Sequence, residues 1–105
     1  MDWEEIDKII EKRKKESWID NLTIPELKKE IDRLHLNHSD YEICSKMQKP
    51  LALGIRKEND KWIVYRNYEK GGYNIIEEFS SEIDACNLLL YHLKVNKRLK
   101  DEISR

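Results

Sequence analysis

Glycine and proline are scarce in this chain, at three and two among 105 residues. It is therefore neither a run of tight turns nor a proline-rich linker or low-complexity segment. Cysteine is too rare for a disulfide framework, since Cys44 and Cys86 alone cannot staple a small domain. A charged start (Asp2, Glu4, Glu5) stands where a secreted chain has an apolar segment, so a reducing, cytoplasmic setting is expected. The longest uncharged stretch, Ala85 to Leu93, falls well short of a membrane span, and no membrane partner is expected. An excess of either charge is also missing. Lys+Arg at 20 against Asp+Glu at 21 leaves a net charge of −1, without the broad positive field that general nucleic-acid binding draws on. What the chain does have is 39% hydrophobic residues, with three Trp, five Tyr and one Phe, beside 39% charged residues. That balance describes one folded, strongly solvated domain covering 1–105.

Apolar residues Trp3, Ile6, Ile9 and Ile10 recur at helical spacing and predict a first amphipathic helix over residues 2 to about 17. A second begins at Thr23, with Pro25 in its first turn and Glu26 placed for a capping box; Leu27, Ile31 and Leu34 share one side. The Asn37-His38-Ser39-Asp40 cluster ends it, and Tyr41 to Ser45 reads as a brief extended segment before Pro50. From Leu51 the period becomes two. Asn59-Asp60 is a turn dipeptide, which pairs Glu58 with Lys61, Ile55 with Val64 and Gly54 with Tyr65. Leu53, Ile55, Trp62 and Val64 then share one sheet face, and Ile63 and Tyr65 the other. Gly71-Gly72 supplies a second reversal into a strand from Tyr73 to Phe79. Ser80 or Ser81 caps a last helix whose buried stripe is Cys86, Leu89, Leu90 and Leu93. The expected fold is α+β: two N-terminal helices, a three-stranded antiparallel meander, and a C-terminal helix packed on the sheet.

No reaction centre emerges from this pattern. His35-x-x-His38 with Cys44 lacks the second ligand pair of a zinc knuckle, so neither metal nor cofactor is expected. Cys86 lies on an apolar stripe without a neighbouring base, where a thiol behaves as a small hydrophobe. Glu77 and Glu78, adjacent on a strand, point to opposite faces and cannot act as a catalytic pair. Gly71-Gly72 lacks the Lys-Ser/Thr continuation of a phosphate-binding loop. The basic run Lys12 to Lys15 is flanked by Glu11 and Glu16 at pairing distance along a helix, which favours a solvated face over nucleic-acid contact. An accessory role at nucleic acid, through that run and the basic C-terminus, is the alternative. The aromatic content of the sheet is more informative. Trp62, Tyr65, Tyr68 and Tyr73 gather with Arg66, Glu69, Glu77 and Glu78 on two strands and their connection. Helices can cover only one face, so part of this set must look outwards, and Tyr, Trp and Arg are the side chains most enriched at binding hot spots.

Ala52-Leu53-Gly54-Ile55-Arg56-Lys57, Lys61-Trp62-Ile63-Val64-Tyr65-Arg66, Glu69-Lys70-Gly71-Gly72 and Phe79 with Ser81-Glu82-Ile83-Asp84-Ala85-Cys86 form a distinctive succession. It resembles small immunity proteins of bacterial polymorphic-toxin and contact-dependent inhibition systems, over roughly the last two thirds of the chain. Trp62, Val64, Tyr65, Glu69, Gly71, Phe79, Glu82, Ala85 and Cys86 match; Lys70 stands where Arg is expected. The resemblance implies a cytoplasmic, non-catalytic protein whose partner is a cognate toxin domain, often a nuclease, neutralised by tight association. Tyr65, Tyr68, Glu69, Tyr73, Glu77 and Glu78 are the expected partner-binding residues, the acids matching the positive cleft of a nuclease.

Overall fold

The computed structural model describes residues 18–45 and 48–103. The helix expected over residues 2 to about 17, and the basic run within it, lie outside them. The described elements are α1 (Ile24–Leu34), a 3-10 turn (His38–Asp40), β1 (Tyr41–Ile43), β2 (Leu53–Glu58), β3 (Lys61–Asn67), β4 (Tyr73–Phe79) and α2 (Glu82–Ile103).

The central hairpin follows from its turn. Asn59 and Asp60 adopt left-handed φ values of 48° and 66°, whose twist matches the flanking strands. The resulting register sets Glu58 against Lys61, Ile55 against Val64 and Gly54 against Tyr65, as the turn dipeptide predicts. Gly71 and Gly72 both take positive φ, and the Tyr68 N–H donates to the Gly72 carbonyl at 2.9 Å, closing the turn into β4. Along β3 and β4 Val64 pairs with Glu77 and Tyr65 with Ile75, so Ile76 is an extra residue without a partner of its own. This bulge lets Ile76 pack against the core while Ile75 stays opposite Tyr65.

The expected three-stranded antiparallel meander is corrected by β1. Tyr41, Glu42 and Ile43 pair in parallel with Leu53, Gly54 and Ile55, which makes the sheet four-stranded and mixed, in the order β1-β2-β3-β4. Three residues are too few for a period to show in a sequence, and a parallel partner is not announced by a hairpin turn. Among the described residues a single α-helix precedes the sheet, not two.

Both helices cover one face of the sheet. Leu27 and Ile31 of α1 and Ala85, Cys86, Leu89, Leu90 and Leu93 of α2 are buried with Leu53, Ile55 and Val64, and Trp62 and Phe79 close the edge. The start of α1 is secured by a contact distant in sequence. Thr23 occupies the N-cap of α1, yet its hydroxyl makes no capping bond; the Ile24 N–H donates to Glu82 Oε2 at 3.0 Å instead. The first residue of α2 thus caps α1, in place of the expected capping box. α2 itself begins with Ser81 Oγ accepting from the Asp84 N–H at 3.3 Å. Buried Asn87 ties the chain before α1 to α2, accepting from the Ile19 N–H at 2.7 Å and donating to the Ile19 carbonyl at 3.0 Å. α1 stops at Leu34, with His35 left-handed at φ 51°, ahead of the Asn37 cluster expected to end it. That cluster forms the 3-10 turn leading into β1.

Candidate functional site

Strand parity places Glu42, Gly54, Tyr65 and Ile75 side by side in one row on the sheet face away from the helices. Gly54 has no Cβ, and the space a methyl group would take there is filled by the Tyr65 ring, at Cζ and Oη. The ring lies across β2, and its hydroxyl donates to Glu42 Oε1 at 2.9 Å. Asn67 Nδ2 donates to the same oxygen at 2.8 Å and to the Lys49 carbonyl at 2.9 Å. The other carboxylate oxygen, Oε2, accepts from the N–H groups of Gln48 and Lys49, both at 2.9 Å. Glu42 is 2% exposed.

Burial by itself would push this carboxyl up; the two backbone and two side-chain donors outweigh it and hold Glu42 below the ordinary carboxylate value. Among the described residues its charge is met by dipoles, since the Lys49 ammonium is turned to the carbonyls of His38, at 2.6 Å, and Tyr41, at 3.2 Å. A carboxylate saturated with donors and closed from solvent neither takes a proton from a substrate nor binds a cation. Its role is architectural: it anchors Tyr65, whose own hydroxyl is pushed up by burial and by the Glu42 hydrogen bond.

That anchor fixes the surface above it. Tyr73 meets the Tyr65 ring edge-on, with centroids 5.8 Å apart and planes at 67°, and remains 38% exposed. Beside it Ile75 is 40% exposed, and the exposed Tyr68 packs over Gly72 in the preceding turn. Arg56 and Glu78 flank Ile63 in the neighbouring row. The outer face of the β3–β4 hairpin is thus an aromatic and apolar platform with charged neighbours.

The expected partner-binding residues divide on this framework. Tyr73 and Glu78 lie on the platform, and Tyr68 and Glu69 on the exposed turn beside it. Tyr65 is corrected: it is 0% exposed, because Gly54 opens a slot for its ring and Glu42 supplies its acceptor. Glu77 pairs with Val64 and so belongs to the helix side of the sheet, exposed at its edge. Ile75 was overlooked, although its parity with Tyr73 points to it. Nothing in the sequence around Glu42 or Asn67 signals their meeting.

Neither thiol is poised for nucleophilic chemistry. Burial pushes Cys86 up to about 12, and even at exposed Cys44 the partly desolvated sulfur is raised. Among the described residues no group of three or more His, Cys, Asp or Glu side chains is arranged to hold a metal ion, and no helix is long and apolar enough to cross a membrane. Comparison of the chain with protein-family models, curated proteins and solved structures found no match.

Proposed function

We propose that this protein neutralises a cognate toxin domain, a nuclease, in the cytoplasm by tight protein–protein association, as an immunity protein does, through the platform of Tyr68, Glu69, Tyr73, Ile75 and Glu78. One observation carries the reading: Tyr73 is left in solvent while its ring is held edge-on by a buried tyrosine that is itself bonded to a buried carboxylate. A large amphipathic side chain fixed before contact loses little conformational freedom on binding, which is what a hot-spot anchor requires. Glu69 and Glu78 beside it supply the charge that steers a basic partner into place. The alternating strands and acidic helix start, which resemble immunity proteins, support the same reading.

Co-expression with the product of the neighbouring gene, followed by co-purification, tests it directly. A stable complex is expected, and the double replacement Tyr73→Ala, Ile75→Ala should weaken it about thirtyfold or more while the free protein stays folded. A complex whose affinity is indifferent to that change would remove the platform from the interface. Failure of the two products to associate would remove the function.

A further inference from the structure

A concave surface lies on the helix side of the sheet, where the turn before β2 meets the end of α2. This groove of about 640 Å³ is lined among others by Lys49, Leu51, Arg66, Leu99, Lys100 and Ile103, and its size falls in the range of small-molecule sites. Its floor contains an anomaly. The Ala52 N–H donates to the Lys49 carbonyl at 3.2 Å, so Lys49-Pro50-Leu51-Ala52 is a β-turn with Pro second and Leu51 third, at φ 62°. Glycine takes that position without strain; a branched apolar residue does not. Leu51 is nevertheless held there and left 57% exposed. Neither backbone preference nor packing among the described residues accounts for it. Leu99 and Ile103, one turn apart on α2 and both exposed, extend the same apolar floor.

The polar lining is mostly engaged already. Lys100 Nζ lies 2.9 Å from Asp40 Oδ1, Lys49 Nζ is spent on two carbonyls, and His38 Nδ1 shares a hydrogen bond with the Tyr41 hydroxyl at 3.1 Å. Arg66 differs. It pairs with Leu53 across the sheet and is half-buried, and its guanidinium has neither a hydrogen bond nor an ion pair among the described residues. A guanidinium on a half-buried residue, without a counter-charge among the described residues and lining an apolar floor, presents a planar fork that matches one carboxylate.

We propose that this groove binds a monoanionic amphiphile, a small carboxylate on an apolar chain, with its carboxylate on Arg66 and its chain across Leu51, Leu99 and Ile103. The Arg66 fork matches one carboxylate, and the exposed leucines remove the chain from water. The site is independent of the toxin-binding reading, because Arg66 and Tyr65 are neighbours in β3 and point to opposite faces.

Titration of the full chain with decanoate, followed through backbone amide resonances, tests the assignment, with decanol and decylammonium as matched probes. Saturable shifts are expected at Leu51, Arg66 and Leu99, with decanol and decylammonium weaker by about tenfold or more. Arg66→Gln should lose about the same factor for decanoate and leave decanol unchanged. Leu51→Gly separates binding from folding: the melting temperature should hold or rise as the strain is relieved, while decanoate affinity falls severalfold. Equal binding of decanoate and decanol, an Arg66→Gln variant that binds decanoate normally, or shifts confined to the outer sheet face would overturn the proposal.

Discussion

The two faces of the sheet are held by different physics. On the helix side Leu53, Ile55 and Val64 pack against Leu89, Leu90 and Leu93, a cluster in which each buried aliphatic side chain contributes about 2 kcal/mol by leaving water, whatever its exact orientation. On the outer side the buried Glu42 carboxylate takes up the Tyr65 hydroxyl, Asn67 Nδ2 and two backbone amides, while Asn67 Oδ1 is left without a partner among the described residues. Non-directional burial degrades gradually when a side chain is altered; a hydrogen-bond network converging on one carboxylate fails abruptly, since losing that member leaves several donors unpaired in a buried site.

The sharpest break of this contrast is Glu42→Ala, which orphans the Tyr65 hydroxyl and the amides of Gln48 and Lys49 and leaves Asn67 Nδ2 with the Lys49 carbonyl alone. We expect a loss of about 4 kcal/mol, against about 3 kcal/mol for Leu89→Ala on the helix side. Urea denaturation of both variants ranks them, and the reverse order would demote the network. Next comes Gly54→Ala, whose methyl group would overlap the Tyr65 Cζ and Oη and expel the ring from its slot. This single-carbon change should cost about 3 kcal/mol and shift the Tyr73 resonances together with those of Tyr65.

Conservative changes sharpen the same comparison. Glu42→Gln keeps the shape but brings an amide N–H₂ towards donors, for a loss of about 2 kcal/mol; Ile55→Val on the helix side should lose about 1 kcal/mol. The pH dependence has a definite sign. Glu42 is held below its ordinary value of 4.5, so the unfolded chain binds more protons in the window between the two values, and stability rises with pH there. Its contribution is complete above the unfolded value and disappears as the pH falls through the folded one. Acid titration of stability should therefore be flatter below about 4.5 in Glu42→Gln than in the unaltered protein. The smallest expected effect on the outer side is Tyr65→Phe, about 1.5 kcal/mol, since the ring still fills its slot while one carboxylate bond is lost. Equal stabilities for these two proteins would mean that the phenol contributes nothing through Glu42.

Much of the helix side was legible. Asn59-Asp60 announces a two-residue turn, and once the turn is placed parity assigns Ile55, Val64 and Trp62 to one face. The Cys86–Leu93 stripe follows from helical period alone, and all of Cys86, Leu89, Leu90 and Leu93 are buried. The outer face was read from the same parity as bare, and there the reading failed at Tyr65. A glycine opposite a tyrosine looks like a gap until a third strand brings a carboxylate to the end of the ring. Thr23 shows the same limit at a helix end, because its hydroxyl makes no capping bond and the side-chain acceptor at the start of α1 is Glu82, 58 positions along the chain from the Ile24 N–H that it takes up.

Turns, periods and the apolar stripes of this protein are written in neighbouring residues, because they depend on local backbone preference and on which side chains shun water. The tertiary structure alone decided that Glu42 would be buried rather than solvated. Its partners Tyr65 and Asn67 lie 23 and 25 positions away, and they reach it only when β1 pairs in parallel with β2. A carboxylate leaves water only where donors are already converging, and that convergence is a property of the folded sheet, not of any stretch of sequence.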